Sequence, residues 1–188
     1  MSVAVDPDTR HMNDLYLLPA GARPPDHLNA VIEIPRGGQA KYEYDRRAGL
    51  FGVDRVLYSS VHYPGHYGFI PSTKAGDGDP VDVLIWGSFE SFTGALIEVR
   101  PFGMLRMQDE HGDDEKLLAV PVADPRYDDV TEIGHVAAHF LREVEHFFHV
   151  YKDLEGKVVR TLGWEPRDVA ERYVTDCLFD YTTLAAAT

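Results

Sequence analysis

The sequence predicts a mainly β protein of α+β class, a small barrel of short strands followed by two C-terminal helices. Three observations predict it. From residue 29 to residue 122, short apolar runs alternate with turn residues and no helical period separates them. That pattern suits a small barrel better than βαβ units. After Asp129 the apolar spacing changes from two to three and four. The chain has 188 residues, 44% of them hydrophobic, enough for one domain spanning 1–188 with a substantial core.

Residues 1–28 are polar and carry Pro19, Gly21, Pro24 and Pro25, so they read as an N-terminal arm. "NAVIEIP" opens the strands, and Gly37-Gly38 marks a turn. "AKYEYD" alternates, with Lys41, Glu43 and Asp45 on one face and Tyr42 and Tyr44 on the other. "GLFGVDRVLYSSV" gives further strand. "HYPGHYGFIP" reads as irregular but packed backbone, broken by Pro64, Gly65 and Gly68. "VDVLIW" is a strand, "GALIEVRPFGMLRMQ" two strands meeting near Pro101, and "LLAVPV" another, reached through an acidic turn. Ile133, Val136, Phe140, Val144, Phe147 and Tyr151 then lie on one helical face, with Thr131 as the expected cap. A second helix starts with Pro166 at its first position and buries Val169, Ala170, Tyr173, Val174, Cys177, Leu178 and Tyr181. The last residues are expected to fray.

Composition removes several functions. The net charge of −13, from 31 acidic and 18 basic residues, argues against nucleic acid or an anionic membrane as partner. An anionic substrate stays open, because bound cations reverse a local field. The single cysteine, Cys177, excludes an intrachain disulfide framework and fits a reducing, cytoplasmic compartment. No signal-peptide pattern and no apolar run of membrane-spanning length is present.

Chemistry concentrates in "GDGDPVDVLIW", where Asp77, Asp79 and Asp82 stand against a core strand. Carboxylates suit Mg²⁺ or Mn²⁺. In extended backbone Asp77 and Asp79 share a face and Asp82 does not, so a bend at 78–80 is needed to gather them. An EF-hand fails, since Asp82 stands where its glycine belongs and Ser88 where its glutamate belongs. A solvated acidic turn explains the stretch equally well on its own. A second acidic cluster, "DEHGDDEK", places Asp109, Glu110, Asp113, Asp114 and Glu115 beside Lys116. Lys41, Arg55 and Lys152 are the natural clamps for phosphoryl oxygens, though each alone reads equally as surface charge. The histidine pairs 62/66, 135/139 and 146/149 lack supporting cysteines or H-E-x-x-H. Neither G-x-S-x-G nor a P-loop occurs.

From "VIEIP" through "KYEYD", "VDR", "YPGHYGFIP", "DGDPVDVL", "RPFGMLRMQDEHGDDEKLLAVP" and "HFFHVYKDLEGK" to "GWE", the chain resembles the soluble family I inorganic pyrophosphatases. The resemblance implies a five-stranded OB-like closed barrel with two helices packed beside it. It also implies hydrolysis of inorganic diphosphate to two orthophosphates. Asp77, Asp82, Asp109, Asp114 and Glu33 match metal ligands, for Mg²⁺ with Mn²⁺ or Zn²⁺ as substitutes. Asp79 matches the residue that deprotonates the attacking water, with Tyr67 and Lys116 as further catalytic positions. Lys41, Arg55, Tyr151 and Lys152 match substrate clamps, and Glu43, Asp54 and Tyr63 surround them. A homohexamer or another homo-oligomer is implied. Ala40, where relatives often carry asparagine, Trp86 in place of a proline-rich connection, and the long arm depart from the pattern without removing a matched residue. The rival readings are a phosphohydrolase of polyphosphate or nucleotides and a non-catalytic OB-type binding module.

Overall fold

The computed structural model describes residues 14–110 and 112–180. Its strands are β1 (Leu28–Ile34), β2 (Ala40–Asp45), β3 (Leu50–Val56), β4 (His66–Phe69), β5 (Asp82–Ile85), β6 (Leu96–Asp109), β7 (Gly112–Asp113), β8 (Lys116–Pro121) and β9 (Arg160–Pro166). Helix α1 spans Ala138–Val150 and α2 spans Arg167–Cys177. β2 and β3 form a sheet of their own. The other seven strands run in the order β1-β4-β5-β8-β6-β7, with β9 on β6 and β1 also meeting the start of β6.

The expected five-stranded OB-like closed barrel is therefore corrected. The architecture is a mixed α/β fold on a seven-stranded sheet, with a separate hairpin. Two physical facts account for the difference. β5 and β8 pair in parallel, Val83 opposite Leu117 and Ile85 opposite Ala119, so the sheet is mixed rather than a run of hairpins. The expected pair of strands around Pro101 is one 14-residue strand, β6, which serves β1, β7, β8 and β9 as neighbours. Its register shift between Pro101 and Gly103 accommodates the missing proline N–H within the strand.

Side-chain alternation divides the core. Leu84, Leu118 and Val120 join Phe102 and Leu105 under α1, whose Val144, Phe147 and Phe148 are buried there. Val83, Ile85, Leu117 and Ala119 point the other way, toward Ala170, Val174 and Cys177 of α2. A third, smaller cluster joins Val31, Tyr44 and Phe69 to Leu15, Tyr16 and Leu18 of the N-terminal segment. Tyr16 is edge-on to Phe69, ring centroids 5.0 Å apart.

Other expectations change locally. "HYGF" is regular strand, not irregular backbone. Thr131 does not cap α1. A 3₁₀ turn, Ile133–His135, intervenes and α1 starts after Ala137 without a side-chain cap. Pro166 closes β9 and stands at the N-cap of α2, one residue before its first turn. Residues 1–13 of the expected arm, Tyr181 and the expected fraying end lie outside the described residues. No helix among the described residues is long and apolar enough to cross a membrane.

Gly68 is the tightest point between β1 and β4. A Cβ there would lie 1.8 Å from the Val31 carbonyl oxygen. Gly68→Ala is expected to cost about 3 kcal/mol or more, read as a lower urea midpoint. An unchanged midpoint would contradict the packing described.

Candidate active site

The aspartate-rich loop is folded by its own backbone. Ala75 N–H donates to the Asp79 carbonyl at 2.7 Å, and Gly78 N–H to the Ala75 carbonyl at 3.1 Å. Asp79 N–H donates to Asp77 Oδ1 at 3.0 Å. Gly78 takes φ +96°, a left-handed value that disfavours a side chain. Thr73 anchors the far side, its hydroxyl donating to the Ile70 carbonyl and accepting from Val81 N–H. This turn brings Asp77, Asp79 and Asp82 to one cavity of about 710 Å³.

The opposite rim comes from β6, β7 and β8. β6 ends on Asp109, and Asp109 pairs with Gly112 across the tight acidic turn. Lys116 opens β8 and is only 3% exposed. Its ammonium bridges Asp82, at 2.5 Å, and Asp114. Lys152, just after α1, pairs with Asp109 at 2.8 Å. Lys157 pairs with Glu110 at 2.8 Å.

The β2–β3 hairpin forms a third wall. Lys41 lies opposite Arg55 in the ladder. Lys41 contacts Glu43 at 2.5 Å and Asp54 at 3.8 Å. Arg55 donates through Nη1 to Asp54 at 2.7 Å and through Nε to Glu155 at 2.9 Å. Its Nη2 is buried without a hydrogen-bond partner. Glu33 reaches in from β1 and accepts Tyr44 N–H at 3.0 Å.

Aromatic rings floor the cavity. Tyr63 and Tyr67 have centroids 5.2 Å apart, and Tyr63 packs on Phe147 at 4.7 Å. Tyr151 sits between Phe147 and Phe148. Helix α1 thus fixes the phenols through its apolar face.

Nine carboxylates and five cationic side chains line this space. Their crowding moves their titrations. Burial, then Asp82, pushes Glu33 up to about 8. Burial, then Asp77 and Asp82, raises Asp79 above the ordinary aspartate range. Burial also raises Asp114 against the pull of Lys116. Burial and the nearby carboxylates hold the Tyr67 phenol protonated well above its usual range. Burial opposes the charge on Lys116, but Asp82 and Asp114 outweigh it and keep the ammonium protonated.

All fifteen sequence-predicted residues line the cavity: Glu33, Lys41, Glu43, Asp54, Arg55, Tyr63, Tyr67, Asp77, Asp79, Asp82, Asp109, Asp114, Lys116, Tyr151 and Lys152. Glu110, Lys157, Tyr16 and Tyr44 join them without having been assigned a role in the site. The first two lie within the quoted motifs "DEHGDDEK" and "YKDLEGK", which was the available signal. Tyr16 belongs to the arm and gave none. His66 is buried, with Nδ1 accepting Arg36 N–H and Nε2 bonded to the Phe89 carbonyl. Both ring nitrogens are thus engaged by backbone. Among the described residues no three His, Cys, Asp or Glu side chains are gathered as a ready cage for a cation. Lys116 and Lys152 draw the carboxylates of Asp82, Asp114 and Asp109 to themselves instead.

The family model of inorganic pyrophosphatase matches residues 30–182. An inorganic pyrophosphatase of Synechocystis is 48% identical over 154 residues, covering 82% of this chain and 91% of that protein. One of Thermus thermophilus is 44% identical over 173 residues, covering 90% and 99%. The crystal structure of inorganic pyrophosphatase from Thermus thermophilus superposes with a TM-score of 0.86 at 43% identity, over 88% of this chain and 97% of that one. That from Helicobacter pylori gives 0.80 at 41% identity, over 81% and 92%. With the match extending over most of the chain and the fold shared, this chain belongs to the inorganic pyrophosphatase family.

Proposed function

We infer that this cavity hydrolyses inorganic diphosphate to two orthophosphates with a water activated by divalent cations. One observation carries the reading: in a member of this family, all fifteen side chains assigned by resemblance converge on one cavity. The donor set fits such cations. Its carboxylates outnumber its cationic groups, and burial, then repulsion from Asp82, keeps Glu33 protonated to about 8. Asp77, Asp82, Asp109, Asp114 and Glu33 are the side chains assigned to hold them, Mg²⁺ being preferred and Mn²⁺ or Zn²⁺ substitutes. When bound, such ions neutralise phosphoryl oxygens and lower the pKa of a water.

The chain's own groups do the rest. Lys41, Arg55, Tyr151 and Lys152 bind phosphoryl oxygens. Lys116 adds fixed positive charge from the start of β8. Tyr67, held protonated by burial, donates from its hydroxyl. Asp79 takes the proton of the attacking water at its carboxylate. Its raised pKa makes it a stronger base than a free aspartate. The water oxygen bonds to one phosphorus as the bridging P–O bond breaks, and the bridging oxygen leaves with the second phosphate. Glu43, Asp54 and Tyr63 keep these groups in place.

We place the protein in the cytoplasm as a homohexamer. Exposed apolar side chains at Leu50, Val53, Val56, Leu154 and Val158 support self-assembly. Light scattering should return about six times the chain mass. A monomeric mass would overturn the assembly reading alone.

Rapid phosphate release from diphosphate with Mg²⁺ is expected, and its loss in chelator. Activity persisting in saturating chelator would sink the cation-assisted reading. Tripolyphosphate and nucleoside triphosphates in the same assay should be poor substrates. Faster turnover of either would move the assignment to a broader phosphohydrolase. Asp79→Asn should lower kcat by about 10²–10⁴-fold with little change in Tm. A fully active variant rejects Asp79 as the base.

Glu33 supplies a pH test. It ionises near 4.5 when unfolded and near 8 when folded. Between those values the native state holds the extra proton, so this group's contribution to stability falls as pH rises and is flat above about 8. In chelator, the Tm of the wild type should fall from pH 5 to pH 8 by about 5–10 °C more than that of Glu33→Gln. Equal slopes for the two proteins would reject the assignment.

A further inference from the structure

Arg55 sits on β3, in the hairpin that shares no ladder with the main sheet. A long side chain on such an element has freedom to swing, yet its guanidinium is held from two sides. Asp54 takes Nη1 at 2.7 Å from the same strand. Glu155 takes Nε at 2.9 Å from a turn one hundred residues later. That 3₁₀ turn, Asp153–Glu155, directly follows Tyr151 and Lys152. It is closed by Gly156 N–H on the Asp153 carbonyl and Lys157 N–H on the Lys152 carbonyl.

An exposed ion pair of this kind contributes little. This one is largely withdrawn from water, with the Glu155 side chain 9% exposed and that of Arg55 18%. The guanidinium is planar, so fixing Nε and Nη1 fixes the direction of Nη2. Nη2 is the nitrogen left buried without a partner. Arg55 lines the cavity, and its guanidinium is held at that wall by these two carboxylates.

We propose that Glu155 is a positioning residue. It locks the Arg55 guanidinium to the Tyr151–Lys152 wall and so holds it in place for a phosphoryl oxygen of the substrate. The inference rests on reading the cavity as a diphosphate site. Glu155 itself touches no substrate. It acts through Arg55 and sets the spacing between the hairpin and the helix-borne clamps.

A double-mutant cycle on the full chain tests it, measuring kcat and KM for magnesium diphosphate and Tm together. Glu155→Ala should lower kcat/KM by about 10–100-fold. Much of that should come from a raised KM. Glu155→Gln keeps an acceptor for Nε–H and should recover part of the loss. In an Arg55→Ala background the same Glu155→Ala change should alter kcat/KM by less than about twofold. Equal losses in both backgrounds, the signature of a merely structural role, would overturn the proposal. So would wild-type kinetics in Glu155→Ala. If Glu155→Ala does not fold, Glu155→Met, which keeps the bulk but offers no acceptor for Nε–H, carries the cycle with the same criteria. A wild-type chain releasing no phosphate would overturn the reading of the cavity and this inference with it, whereas an active wild type with an additive cycle overturns this inference alone.

Discussion

The bridge from the Lys116 ammonium to Asp82 and Asp114 organises the rest of the site. It follows from the parallel pairing of β5 with β8. Val83 lies opposite Leu117, so the residues that open the two strands, Asp82 and Lys116, stand at one level beside each other. Everything below that level is apolar: Val83, Leu84 and Ile85 against Leu117, Leu118 and Ala119, all at 1% exposure or less. The charges stand where the core ends. Withdrawing an ammonium and two carboxylates from water is expensive, and their mutual attraction offsets the cost only while all stay in place. A change to Lys116 would therefore disturb both acidic loops together.

β6 does the corresponding work on the other rim. A strand of 14 residues can start beside β1, cross the sheet next to β8 and still reach the cavity with Asp109. Two register shifts, at 101–103 and 106–107, bend it on the way. Gly103 makes the first bend compatible with packing, because a Cβ there would meet the Glu165 carbonyl and the Ile133 side chain. The site is thus a meeting of strand ends, with the two helices holding the sheet from opposite faces.

The sequence carried the site further than it carried the fold. Motif residues report chemistry directly, and fifteen of them reached one cavity, most from strand ends and the loops beside them, Tyr151 and Lys152 from the end of α1. Pairing partners leave no such mark. Nothing in "VDVLIW" and "LLAVPV" says that they lie parallel. "TLGWE" received no element in the sequence reading, although it forms most of β9. "RPFGM" read as a corner because proline and glycine break strands more often than they bend them. Thr131 had the chemistry of a cap but lies too far ahead of α1, with a 3₁₀ turn between. The bend at Gly78 was readable as a need, since Asp82 had the wrong parity, and the φ of +96° meets it. Glu155 was not readable, because its importance depends on a guanidinium one hundred residues away.

The electrostatics also resolve the oddity of an acidic chain acting on an anion. The net charge of −13 is a property of the whole surface, but in the cavity the cationic side chains are set directly against carboxylates. Aspartates 77, 79 and 82 come from one loop, and Asp109 and Asp114 from the turn facing it, while Lys41 and Arg55 come from the hairpin and Lys152 from the end of α1. Glu33, Asp79 and Asp114 all hold their protons beyond the ordinary carboxylate range, burial being the first cause in each. That is stored unfavourable free energy in the folded protein. It persists because the core beneath fixes the backbone that bears it. A cation placed among these groups offsets the cost of their buried charge and then their mutual repulsion. The same crowding that makes these carboxylates costly is therefore the source of the cavity's affinity for positive charge, and a cavity so neutralised admits an anion that the carboxylates alone would repel.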